Sequence, residues 1–169
     1  MDPNNITHWI RRSIESSNNS WLVLTLRIDG TLVPNGSGTA QSPWNPSLTG
    51  GQSKVKTALG WAVTMLRRKM KYEIRFGGYF GGDFAKSVRP HIHAICEVPR
   101  SSTPKDMVQA LRMYWQQSVE RKFKCYLPTS VYQEKVESTE AYLRYISRWE
   151  GKMFGYGDSK LILNRSFLF

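Results

Sequence analysis

A chain of 169 residues, 40% of them apolar and 12% aromatic, has the length of one ordinary domain and can bury a core without disulfide staples. Its 24 Lys and Arg against 13 Asp and Glu leave a formal net charge of +11, spread along the chain rather than gathered in a tail. That balance points to a polyanion, nucleic acid first. No run of about 18 apolar residues could form a transmembrane helix, Met1–Ser20 lacks the apolar core of a signal peptide, and no P-loop motif occurs. Cys96 and Cys125 form neither a disulfide framework nor a CxxC knuckle, so a reducing, intracellular setting is expected.

Residues 1–20 read as a polar arm with a short helical piece around His8–Ile14. Trp21–Ile28 (WLVLTLRI) has strand composition and stops at Asp29-Gly30. Residues 30–53 are rich in Gly, Ser, Pro, Asn and Thr and read as a long loop. A helix is predicted from Ser53 or Lys54 to Met70, with Val55, Leu59, Ala62, Val63, Leu66 and Met70 at helical spacing and cations at its C-terminal end. Lys71–Phe80 and Arg89–Val98 read as strands joined by a turn over Gly81–Val88. Thr103-Pro104 opens a helix, with Thr as N-cap and Pro in the first turn. Ser130–Val136 is a further predicted strand. Ser138 or Thr139 caps a last helix from Glu140 to Trp149, and Lys160–Leu163 is a short strand. The first six main elements run βαββαβ. This is the split arrangement of an α+β, ferredoxin-like antiparallel sheet, with an additional C-terminal helix. In that arrangement the strand carrying His91 and His93 lies beside the first strand.

Two of the chain's three histidines stand in Pro90-His91-Ile92-His93. On a strand they project from one face, about 7 Å apart, near enough to share a divalent metal. Two ordinary surface histidines are the alternative, since a single HxH is a weak motif. On the last helix Tyr145 and Arg148 share a face. Tyr142 and Tyr145 also fall with Ile146 and Trp149 in a stripe suited to core packing.

In combination these features resemble the HUH endonucleases, specifically the replication-initiator (Rep) nucleases of rolling-circle plasmids and single-stranded DNA viruses. Leu22–Arg27 (LVLTLR) is similar to the family's first motif, Arg89–Cys96 (RPHIHAIC) to its second and Tyr145-Ile-Ser-Arg148 to its third, YxxK. The resemblance spans residues 20–157 and implies a single nuclease domain over 21–169. It implies His91 and His93 as metal ligands, Mn²⁺ or Mg²⁺ as the ion, Tyr145 as nucleophile with Tyr142 as the alternative, and Arg148 in the place of the family's lysine. The third ligand of many relatives is a Glu on the strand before the HxH strand. Here Gly78 takes that place, leaving Asp83, Glu73 and Gln133 as substitutes.

The activity implied is nicking and rejoining of single-stranded DNA, or of an origin hairpin, through a 5′-phosphotyrosine that starts rolling-circle replication. A helicase domain or host replication proteins are the implied partners, in the cytoplasm or nucleus of a host, with no membrane. Arg75, Lys86 and Arg89 are the expected phosphate contacts. A relaxase or transposase of the same superfamily and a non-catalytic ferredoxin-like RNA- or single-stranded-DNA-binding module are the competing expectations.

Overall fold

Alternation along the first strand sets the architecture. In β1 (Ser20–Ile28) Leu22, Leu24, Leu26 and Ile28 lie on one side, and Val23, Thr25 and Arg27 on the other. The computed structural model describes residues 6–29, 51–83, 88–134, 138, 140–141, 143–144 and 161–163. Its elements are α1 (Ile6–Glu15), β1, α2 (Gly51–Met70), β2 (Phe76–Asp83), β3 (Val88–Val98), α3 (Pro104–Phe123), β4 (Thr129–Gln133) and β5 (Leu161–Leu163). The antiparallel sheet has the order β4-β1-β3-β2-β5. Its first four strands, with α2 and α3, are the predicted βαββαβ arrangement.

One face of the sheet carries the core. Leu22, Leu24, Leu26 and Ile28 of β1, Ile92, Ala94, Cys96 and Val98 of β3, Phe76 of β2 and Val131 of β4 pack against α2 and α3. From α2 come Val55, Ala58, Leu59, Ala62, Val63 and Leu66, and from α3 Met107, Val108, Leu111, Trp115 and Val119. Each fully buried large apolar side chain contributes about 1.5–3 kcal/mol by its removal from water. Trp115, the largest of them, also donates its indole N–H to the Arg27 carbonyl at 3.0 Å, so the packed face is pinned to β1.

The helix ends follow local chemistry. Thr103 Oγ1 accepts from the Asp106 N–H at 3.1 Å, as the N-cap prediction requires. At the other end of α3, Lys124 is left-handed (φ 57°) and its N–H reaches the Glu120 carbonyl. Gln116 then stitches α3 to the approach of β4. It donates to the Leu127 carbonyl and accepts from the Thr129 N–H and hydroxyl.

Several boundaries differ from the prediction. The strand expected over Lys71–Phe80 begins only at Phe76 and runs through Gly81 and Gly82, where a turn was expected. Leaving α2 consumes the missing residues. Lys71 is left-handed (φ 51°), the Tyr72 N–H returns to the Arg67 carbonyl, and the Ile74 N–H bonds the Tyr72 carbonyl. β4 ends at Gln133, short of Val136, and residues 135–137 lie outside the described residues. Of the loop predicted over 30–53, residues 30–50 are also outside them, while 51–53 belong to α2.

The opposite face is held by a second set of contacts. The buried Glu97 carboxylate accepts from Ser17 Oγ at 2.9 Å, Asn19 Nδ2 at 2.9 Å, Tyr72 Oη at 3.3 Å and the Arg75 N–H at 3.1 Å. These bonds tie the α1–β1 link to β3. Ser138 Oγ accepts from the Ala141 N–H at 3.1 Å, a cap at the predicted place. Glu140, Ala141, Leu143 and Arg144 are helical, and Glu140 pairs with Arg11 of α1 at 2.9 Å.

Candidate functional site

The antiparallel register sets Thr25 of β1 opposite His93 of β3, and Tyr79 and Gly81 of β2 opposite His93 and His91. The two histidines therefore share the face away from the packed helices. The rings meet edge to face with centroids 4.3 Å apart, and the two Nε2 atoms converge to 2.7 Å. Both residues are buried, at 8% and 9% exposure.

An Nε2 pair at that distance needs at least one lone pair between the rings, so the two imidazoles cannot both present N–H there. The electrostatics agree. Burial lowers the His93 pKa to about 4, with repulsion from His91 and from the Arg27 guanidinium as smaller causes. His93 is therefore neutral near pH 7, as a metal-ligating imidazole must be. Two converging nitrogens with an available lone pair fit a divalent transition-type ion.

His93 Nδ1 lies 3.5 Å from Thr25 Oγ1, and that hydroxyl donates to Glu134 Oε1 at 2.6 Å. Glu134 follows β4 directly and is held to β1 by its own N–H on the Val23 carbonyl, at 2.9 Å. At the sheet edge, Tyr132 is opposite Thr25 and half exposed, at 50%. The Arg27 guanidinium sits 5.9 Å from its ring centroid. Arg27 Nε is buried without a hydrogen-bond partner among the described residues.

The residues singled out from sequence fare differently. Glu73 precedes β2 at the end far from the histidines, is 76% exposed and forms an ion pair with Arg67, so it is not a third ligand. Gln133 is opposite Leu24 and belongs to the helix-packed side, which removes it as well. Gly78 is opposite Ala94, again on the packed side, so the position facing His93 is Tyr79. Asp83 ends β2 opposite Val88, after a register shift. Among the described residues, no group of three or more His, Cys, Asp and Glu is placed to hold a metal.

Arg75, expected to face phosphate, donates to the Ser13 carbonyl at 2.9 Å and to Ser16 Oγ at 3.3 Å, and so anchors α1. Arg89 is within β3. Lys86, Tyr142, Tyr145 and Arg148 lie outside the described residues. Glu134, Thr25 and Arg27 did not stand out in the sequence as site residues. Thr25 was detectable as the one hydroxyl in the apolar run Leu22–Leu26 of β1. Glu134 sat one position from a residue that had been singled out, on the other side of the pleat.

The sequence matches no protein-family profile and no curated protein. A solved structure to which the chain is similar is the N-terminal nuclease domain of non-structural protein 1 of Minute virus of mice. That domain is described as having Zn²⁺ coordination in its active-site pocket and a mode of DNA recognition at the origin of replication. The identity is 12%, the match covers 89% of this chain and 69% of that one, and the TM-score is 0.41. At that distance the likeness carries no argument about chemistry, which rests on the residues described above. No helix among the described residues is long and apolar enough to cross a membrane.

Proposed function

We propose that this chain is a metal-dependent endonuclease of the HUH type, which nicks and rejoins single-stranded DNA at a replication origin. The observation that carries the proposal is the convergence of His91 and His93 Nε2 at 2.7 Å on the sheet face away from α2 and α3. Both rings are buried and their Nε2 atoms share one hydrogen bond, an arrangement in which a divalent ion would take the place of the shared proton. The net charge of +11 suits a polyanionic substrate.

His91 and His93 would hold the divalent ion, Mn²⁺ in preference to Mg²⁺ for imidazole donors. When bound, the ion supplies Lewis-acid withdrawal of charge from a nonbridging phosphate oxygen, an effect of several kcal/mol. Tyr145 is the proposed nucleophile and Tyr142 its alternative. The tyrosine oxygen forms a bond to phosphorus as the bond to the 3′ oxygen breaks. The products are a 5′-phosphotyrosine and a free 3′-hydroxyl. One phosphodiester replaces another, so the reverse reaction rejoins the ends without ATP. Arg148, three residues beyond Tyr145, supplies charge to the phosphate.

Two placements support a tyrosine from the last helix. Ser138, its cap, is four residues from Glu134, a reach of at most about 14 Å along the chain. Glu134 in turn touches Thr25 beside His93. Arg27 and Tyr132 on the same face offer a cation and an exposed ring for a flanking phosphate and base; Arg89 and Lys86 are proposed as further phosphate contacts from the sequence alone.

The test is a denaturing gel of the protein with a randomised pool of single-stranded oligonucleotides and Mn²⁺, with and without EDTA. A protein-sized band carrying DNA is expected, lost with EDTA and in Tyr145→Phe but kept in Tyr142→Phe. Loss only in Tyr142→Phe would move the nucleophile. Binding without any covalent product would replace the nuclease by a nucleic-acid-binding module.

A further inference from the structure

The hydroxyl of Thr25 has one proton, and the 2.6 Å contact gives it to the Glu134 carboxylate. What that oxygen turns toward His93 is therefore lone pairs, and the ring nitrogen facing it at 3.5 Å is Nδ1. An oxygen with only lone pairs to offer favours an N–H at Nδ1 over a second lone pair there. A neutral imidazole has one N–H, so Nε2 is left bare, pointing at His91 Nε2 2.7 Å away. In the metal-free protein His91 then presents its own N–H across that gap. We propose that Glu134 and Thr25 are positioning residues that act in series: the carboxylate orients the hydroxyl, and the hydroxyl fixes His93 as the Nδ1–H tautomer, with its Nε2 lone pair directed at the metal position.

The arrangement joins three strands. Thr25 is in β1 opposite His93 in β3, and the Glu134 N–H is bonded to the Val23 carbonyl as the chain leaves β4. Thr25 is buried at 3% exposure, so water does not compete freely for its hydroxyl. Glu134 is exposed and can be truncated without opening the core. Partners of this kind, behind a metal-binding imidazole, set its tautomer and ring orientation. The inference rests on the metal-binding role proposed above for His93, but its first readout does not need the metal.

That readout is the ¹⁵N resonance pattern of the His93 ring in metal-free protein, for wild type, Thr25→Ser, Thr25→Val and Glu134→Ala. Wild type and Thr25→Ser are expected to carry the proton on Nδ1, while Thr25→Val and Glu134→Ala shift population to Nε2–H. A wild-type His93 protonated at Nε2, or a tautomer unmoved in both variants, overturns the inference. The second readout is Mn²⁺ affinity, expected to fall about 10-fold or more in Thr25→Val and Glu134→Ala and to recover in Thr25→Ser. Unchanged affinity in both variants overturns the role. If wild type binds no Mn²⁺, the nuclease proposal falls, and the tautomer assignment is still decided by the resonances.

Discussion

Burial makes His93 a poor base, and this has a measurable cost in acid. Its folded pKa of about 4 is below the unfolded value of 6.5. Between those values the unfolded chain binds a proton that the folded chain refuses, so stability is complete above pH 6.5 and falls as pH drops toward 4. The expected loss is of the order of 1–3 kcal/mol. Urea unfolding of metal-free protein at pH 7 and pH 4.5 should show a steeper acid loss in wild type than in His93→Gln, and equal losses would contradict the assignment. The two cysteines differ in the same physical way. Cys96 is fully buried, with its thiol pushed up by burial and by Glu97, whereas Cys125 is exposed. Alkylation of native protein followed by mass spectrometry should label Cys125 alone, and comparable labelling of Cys96 would show that the packed face opens. The histidine pair could be read from the sequence because its spacing is local. Its supports could not, because Thr25, His93 and Glu134 meet only through strand register, across 68 and 109 residues.

At the scale of the element, local rules explain most of what forms. Thr103→Ala removes the bond to the Asp106 N–H and should cost about 1 kcal/mol in chemical denaturation. Lys124, left-handed at φ 57°, is the converse case. Lys124→Gly should stabilise by about 0.5–1 kcal/mol, since glycine takes that conformation without steric penalty, and a loss of stability would show that the Lys124 side chain contributes there. The α2 and α3 faces were legible from their spacing, and β1 from its composition. The placement of β2 was not. Propensity in KYEIRF favours a strand, but the left-handed exit of α2 uses those residues first, and Gly81, where a turn was expected, instead pairs with His91 of β3. Gln133, one of the three open alternatives for a third ligand, is removed for a related reason. A one-residue step along a strand changes the face, and sequence alone does not say which face the partner strand imposes.

At the scale of the molecule, the sheet divides the work. One side is an apolar core under α2 and α3, and the other carries the histidines, Thr25, Arg27 and Tyr132. Element order sufficed to predict the βαββαβ sheet, because few topologies satisfy short connections and antiparallel pairing. The net charge of +11 gives a further expectation at this scale. Affinity for single-stranded oligonucleotides, followed by fluorescence anisotropy, should fall linearly in log–log form with salt, with a slope near −0.7 for each phosphate contacted. A salt-independent affinity would contradict a charge-driven interface.

The proposed chemistry requires that His91 and His93 hold one divalent ion. The most direct measurement is a Mn²⁺ titration followed by electron paramagnetic resonance, in which free ion is counted as protein is added. One bound Mn²⁺ per chain is expected in wild type, with that binding lost in both His91→Ala and His93→Ala while each variant stays folded. Wild type that leaves all Mn²⁺ free, or variants that bind it as tightly as wild type, would contradict it.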